Sequence, residues 1–307
     1  MRDAFSERMG AAKNTTGMGR YGNPPRRTME PVRPYLHYAL RMRRYPRFFL
    51  RWRARARARA HKGSVQVVPA NGRNLLVYTP ASYARGDARY PVIYMQDGQN
   101  LFDPATSFAG DWGLKTALAW ASRRGFQAIV VGIPNMGAAR ITEYTPFVDP
   151  KVGGGQGERY LDYLVHTVKP LIDERFRTLP ERAHTGIAGS SLGGLISLYA
   201  FFRYPEVFGF TAALSPSLWF ANAAILAFVE QATPPAGGRV YLDVGLREGP
   251  AHVALARQLR DILVAKGYEP RVELRWVEDR EGRHHESAWG RRFRKALPFL
   301  LRNGKPG

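Results

Sequence analysis

The sequence predicts an α/β fold in which one mostly parallel eight-stranded sheet carries helices on both faces. Three observations predict it. Short apolar runs rich in Val, Ile, Leu and Ala recur along the chain. Each run is followed by an amphipathic stretch of helix length. A pair of alternating segments joined by a tight turn precedes them all. Strand and helix in alternation bury parallel strands between two helical layers.

Taken in order, residues 64–69 and 74–79, separated by an Ala-Asn-Gly turn, read as an antiparallel hairpin. Six buried strands are expected at residues 91–95, 128–133, 184–188, 210–214, 240–244 and 271–277. The helices between and after them are expected near 113–123, 158–176, 192–202, 218–231, 252–266 and 288–301. In a sheet of this kind chemistry belongs at the carboxyl ends of the strands.

With 307 residues, 45% of them hydrophobic, the chain can build a core unaided, and having no cysteine it has no disulfide, thiolate ligand or thiol nucleophile. The first thirty residues lack the apolar core of a signal peptide and no later run is long enough to span a bilayer, so the default expectation is a soluble cytoplasmic protein.

The formal net charge of +21 is unevenly spread: residues 1–62 hold 17 Lys and Arg against three Asp and Glu. Residues 1–34, rich in Gly, Pro, Arg and Asn, read as a disordered or extended basic segment, with Met18, Met29 and Met42 as alternative starts. Residues 35–62 read as an Arg-rich, helical arm divided at Pro46, and residues 63–307 as the catalytic domain. Arginines interleaved with Tyr45, Phe48, Phe49 and Trp52 suit an anionic surface, nucleic acid or lipid; the plainer alternative is a solvated helix packing its aromatics on the main domain.

The chemistry centres on Gly189-Ser190-Ser191-Leu192-Gly193-Gly194. A Gly-x-Ser-x-Gly pattern matters only between a strand and a helix, where the tight turn lifts the hydroxyl above the sheet, and here a strand precedes it and a helix follows. This marks the α/β-hydrolase fold with Ser191 as nucleophile; Ser190 occupies the variable position. The helix N-terminus and the Leu192 amide would face a developing oxyanion.

A serine needs a base and the base needs an acid, in the chain order serine, acid, histidine. Of the seven histidines, His252, His284 and His285 follow the serine. His252 opens a helix and reads as a surface residue, whereas His284 and His285 occupy the loop after the last strand, leaving either as the base. Glu248 lies in the loop after the 240–244 strand and is the expected acid; Asp243, inside that strand, is the alternative. The second oxyanion amide is expected in Gln96-Asp97-Gly98-Gln99, at or near Gln99, with Asp97 as a turn residue.

Four stretches carry a resemblance: Tyr94-Met-Gln-Asp-Gly-Gln-Asn-Leu-Phe-Asp103; Gly132-Ile-Pro-Asn135 with Arg140 and Glu143-Tyr-Thr-Pro146; the serine motif; and His284-His-Glu286 with Trp289. They resemble the esterase family that includes esterase D and the enterochelin (siderophore) esterases. The resemblance implies that His284 is the base, with His285 where the family has Asn, that Glu248 is the acid, and that Gln99 and Leu192 supply the oxyanion amides. It also implies that Arg140, Glu143 and Tyr144 lie at the active-site rim, either as an ion-paired loop or as substrate-lining residues.

The expected activity is hydrolysis of a small-molecule carboxylic ester, with no cofactor and no metal. Acyl transfer by the same triad, and an esterase with an added anion-binding arm, are the alternatives. Pocket walls are expected from residues 108–112, 136–147 and 215–220, where Trp112, Trp219 and Phe220 either form an aromatic pocket or belong to the core.

Overall fold

The computed structural model describes residues 63–107 and 110–302. The basic segment 1–34, the arm 35–62 and Phe108 lie outside them.

The eight strands are β1 (Ser64–Ala70), β2 (Arg73–Thr79), β3 (Val92–Met95), β4 (Ile129–Gly132), β5 (Thr185–Ser190), β6 (Phe210–Leu214), β7 (Arg239–Gly245) and β8 (Leu274–Asp279). They form one sheet in the order β1-β2-β4-β3-β5-β6-β7-β8. β2 pairs antiparallel with β1 and β4, and all other pairs are parallel. The hairpin turns at Asn71 and Gly72, both at positive φ (37° and 87°), the primed-turn geometry that matches strand twist.

The helices are α1 (Leu114–Ser122), α2 (residues 157–175), α3 (Leu192–Arg203), α4 (Phe220–Gln231), α5 (Pro250–Ala265) and α6 (Glu286–Leu300). Two cores separate the layers. On one face α1 and α6 bring Leu114, Leu118, Phe293 and Leu297 against Ile93, Met95 and Val130 of the sheet. On the other, α2 to α5 bring Leu161, Leu195, Ile225 and Leu259 against Tyr94, Val131, Ile187 and Leu242. Alternate residues of one strand therefore point into opposite cores, which is why these strands are apolar throughout.

Three elements depart from the expectation. The last strand begins at Leu274 instead of 271, because Arg271 adopts φ 68° and its amide closes a turn onto Leu274 O (2.7 Å). α2 is not uniform: a π turn, Leu164–Val168, separates Gly157–Tyr163 from Lys169–Arg175. Pro170 cannot donate to a carbonyl one turn back, and the wider turn absorbs that missing bond. α4 is entered through Ala221, Asn222 and Ala223 at φ 48–61°, a left-handed turn that no propensity would suggest. The sequence reading also missed the helical turn Arg140–Glu143 and a two-residue ladder, Val148–Asp149 with Gly153–Gly154. Among the described residues no helix is long and apolar enough to cross a membrane.

Candidate active site

Ser191 stands at the junction of β5 and α3, beyond the carboxyl end of the strand, with φ 56° and ψ −124°. A side chain held in that sparsely populated region is under strain of about 1–3 kcal/mol, tolerable only where the surroundings fix it. They do so through the Ser191 amide, which donates to Leu214 O (3.1 Å), and its carbonyl, which accepts from Leu195 N and Ser217 N (both 3.0 Å). The turn is so tight that a Cβ on Gly189 would lie 2.6 Å from the Gly193 carbonyl carbon. Leu192 is the first residue of α3, so its amide is one of the helix's unpaired N-terminal donors.

Glu248 and His284 meet from two different loops. His284 Nδ1 lies 2.9 Å from Glu248 Oε2, and the Glu248 side chain is wholly shielded from solvent. The other carboxylate oxygen accepts from Ser215 Oγ (2.6 Å) and Gly245 N (2.9 Å). Burial alone would raise this carboxyl, but the hydrogen bonds from His284 and Ser215 and the nearby cations outweigh it and hold the group at about 2. Since an ionised carboxylate only accepts, His284 Nδ1 is the donor in this pair, and in the neutral imidazole that leaves the lone pair on Nε2. The Trp289 ring stands edge-on to the imidazole, centroids 4.8 Å apart, and fixes its plane.

Asp243, the alternative acid, does not approach a histidine. It is fully buried, accepts from Ser215 N (3.1 Å) and lies 3.1 Å from Arg292 Nε, out of line for a hydrogen bond. Burial raises it to about 7 against the opposing Arg292 charge. Its place is beneath the site, holding Ser215 and Arg292. His285 caps α6, its Nδ1 accepting from Ser287 N (3.2 Å).

His252 needs correction. It is not a surface residue: its ring lies 5.3 Å from that of His284, and Nε2 is 3.2 Å from Pro216 O and 3.9 Å from Glu248 Oε2. Burial, then the His284 charge, hold its pKa below the ordinary value. His252 shares the face of α5 that buries Ala256, Leu259 and Leu263, and the Ser215–Ser217 loop overhangs it through Pro216 O.

That loop ties the site together. Ser215 Oγ donates to Glu248 and accepts from Arg292 Nη2 (2.6 Å) and Trp289 Nε1 (3.2 Å). Two residues on, Ser217 Oγ is 3.0 Å from Ser191 Oγ. Ser215 and Ser217 fall within residues 215–220, expected as pocket wall, but no local pattern marks the part that either of them, or Arg292, plays in holding Glu248 and Ser191.

The turn after β3, which passes close to Gly193 at the start of α3, has Asp97 at φ 53° followed by Gly98-Gln99-Asn100. A Cβ on Gly98 would meet Gly132 C at 2.5 Å, so glycine is required there by the closeness of β4. Gly98 N bonds Ile133 O and Asn100 N bonds Asp97 O; between them the Gln99 amide has no partner among the described residues. The Gln99 side chain accepts from Asn135 N (3.2 Å).

Asp97 is more than a turn residue. Arg140 forks onto both its oxygens (2.8 Å each), Asn135 Nδ2 donates to it (2.6 Å), and its own amide donates to the buried Tyr144 hydroxyl (3.0 Å). Glu143 pairs with Arg73. Arg140, Glu143 and Tyr144 thus occur as an ion-paired, hydrogen-bonded support for the Gln99 turn, while Glu143 also lines a pocket of about 440 Å³ with Arg73, Met136 and Tyr160. Of the three aromatics, Trp112 and Phe220 are core, and Trp219 is 39% exposed.

A family model described as "Esterase: Putative esterase" matches residues 69–300. The protein YbbA of Bacillus subtilis (strain 168) is 29% identical over 252 residues, covering 78% of this chain and 96% of YbbA. The siderophore triacetylfusarinine C esterase of Aspergillus fumigatus is 34% identical over 155 residues, 47% of this chain and 51% of that protein. Among solved structures, the IroE-like serine hydrolase from Shewanella oneidensis superposes with a TM-score of 0.65 at 21% identity, covering 78% of this chain and 81% of that one.

Proposed function

The chain belongs to this esterase family and is an ester-hydrolysing enzyme, and from that premise we propose that it cleaves small-molecule carboxylic esters through an acyl-enzyme on Ser191. The observation that carries the reading is the His284–Glu248 pair, which leaves the Nε2 lone pair free to take a proton.

In the proposed reaction the Ser191 hydroxyl turns from Ser217 toward His284 Nε2, gives up its proton and attacks the ester carbonyl carbon. Glu248 keeps the imidazole in the required tautomer and stabilises its protonated form. The Leu192 amide, at the positive end of α3, and the Gln99 amide donate to the carbonyl oxygen as it gains charge. Collapse returns the His284 proton to the departing alcohol and leaves the acyl group on Ser191. A water deprotonated by His284 then attacks the acyl carbon, and the acid leaves as the proton returns to Ser191.

The Asp97–Arg140 pair supports this reading by fixing the turn that carries the Gln99 amide. As the Aspergillus fumigatus relative bears the name of a siderophore esterase, siderophore-type esters are the first natural substrates to test. With p-nitrophenyl butyrate as probe, Ser191→Ala is expected to lower kcat by about 10⁴-fold or more with the fold intact. Undiminished turnover by that variant would overturn the proposal.

A further inference from the structure

We propose that Glu248, His252 and His284, with the Pro216 carbonyl, form an inhibitory binding site for a borderline transition-metal cation such as Zn²⁺. The inference rests on the acid–base pairing proposed above and adds a ligand to it; the cation is no cofactor of the hydrolysis.

One donor atom from each of the three side chains lies within 4.8 Å of the others. His284 Nδ1 is 2.9 Å from Glu248 Oε2, His252 Nε2 is 3.9 Å from the same oxygen, and His252 Nε2 is 3.2 Å from Pro216 O. Tetrahedral zinc with bonds of about 2.0–2.1 Å to nitrogen and oxygen holds its ligand atoms roughly 3.3 Å apart. Those three spacings bracket that value, and no two of the side-chain donor atoms are more than 4.8 Å apart, so the ligands close on the cation by at most about 1.5 Å. At present two N–H groups fill the space: His284 Nδ1–H donates to the carboxylate and His252 Nε2–H to the carbonyl. A cation that replaces both hydrogens meets two imidazole nitrogens, one carboxylate oxygen and one carbonyl oxygen. Such a set suits Zn²⁺ or Co²⁺ and is poor for Mg²⁺ or Ca²⁺, which favour all-oxygen shells. Entry is open on the His284 side, where that side chain is 37% exposed; His252 is 14% exposed.

The consequence follows from tautomers. A metal on Nδ1 of a neutral imidazole moves its proton to Nε2, with no net proton released. His284 then presents N–H to Ser191 where the reaction needs a lone pair, and Glu248 is occupied by the metal. Binding therefore switches the base off without touching Ser191. His252 contributes nothing to the proposed hydrolysis and gives the site its third side-chain ligand.

The test uses the metal-free full chain. Zn²⁺ is titrated into p-nitrophenyl butyrate hydrolysis, each variant being compared with its own metal-free rate, and EDTA is added to reverse the effect. Visible absorption of added Co²⁺ reports binding without reference to activity. Saturating Zn²⁺ is expected to reduce the rate at least about 100-fold, reversibly, while Mg²⁺ has no effect. His252→Gln, which retains an amide donor for Pro216 O, is expected to raise the half-inhibiting Zn²⁺ concentration at least about tenfold. Tetrahedral Co²⁺ bands are expected in the unaltered chain and in Ser191→Ala, and absent in His252→Gln and in His284→Asn. Equal Zn²⁺ sensitivity with and without His252, or Co²⁺ bands that survive its substitution, would overturn the proposal. If the chain proved to lack the proposed serine mechanism, the Co²⁺ spectra alone would still decide the metal site, so the two failures are distinguishable.

Discussion

Ser217 Oγ lies 3.0 Å from Ser191 Oγ, so in this structure the strained serine rests against another serine and not against His284. The bond is between neutral hydroxyls, either of which can donate, and is worth about 1 kcal/mol; where Ser191 is the donor, its hydrogen has to turn from Ser217 to the imidazole. Ser217→Ala is therefore expected to leave kcat unchanged or raise it by up to about fivefold, measured on p-nitrophenyl butyrate. A loss of 100-fold or more would show that Ser217 takes part in the chemistry.

The left-handed φ of Ser191 predicts a separation of stability from activity. Ser191→Gly and Ser191→Ala both lose the hydroxyl and its bond to Ser217, but only glycine relieves the backbone strain. After the greater chain entropy of unfolded glycine is allowed for, Ser191→Gly is expected to be about 1 kcal/mol more stable than Ser191→Ala. Urea denaturation compares them; equal midpoints would mean that the turn stores no strain.

Gly98 allows the Gln99 turn to pass against β4. An added methyl 2.5 Å from Gly132 C meets backbone that cannot yield cheaply, so Gly98→Ala has to displace the turn and its amide. The expected outcome is a fall in kcat of about 10²-fold, the size of effect seen when one oxyanion donor is lost, with KM changed little. Normal kcat would remove the Gln99 amide from the mechanism.

Glu286, in the first turn of α6, is buried; burial first, and then the Asp97 charge, raise its carboxyl from 4.5 to about 7 despite Arg140. A group that binds its proton more tightly when folded stabilises fully below pH 4.5, and that contribution disappears as pH rises through 7. Glu286→Gln removes the titration. Between pH 5 and pH 8 the stability of the variant relative to the parent is expected to improve by about 1–3 kcal/mol, read from paired urea unfolding curves. A pH-independent difference would contradict the assignment.

Local patterns made much of this legible. The strand–serine–helix order and the alternating hydrophobic runs are properties of neighbouring residues, so β5, Ser191 and α3 emerge directly, as do both helical layers. Glu248 and His284 follow from chain order and from the family resemblance, and they come together at 2.9 Å. The supports escaped because each is local in space and remote in sequence. Ser215 joins Glu248, Trp289 and Arg292 across 33, 74 and 77 residues. Arg292 is a cation within a fully buried ionic cluster, against the ordinary preference of its residue type for the surface. His252 lies four residues before Ala256 and seven before Leu259, on the buried face of α5; only its approach to His284 and Glu248 depends on residues remote in sequence.

The central claim is a covalent intermediate on Ser191, and active-site labelling tests it most directly. The full chain is treated with diethyl p-nitrophenyl phosphate and followed by intact-mass and peptide mass spectrometry. The account predicts one diethylphosphoryl group per chain, located on Ser191, appearing in step with loss of esterase activity and absent from Ser191→Ala. Complete inactivation with the label on another residue, or full activity in a chain labelled stoichiometrically at Ser191, would contradict it.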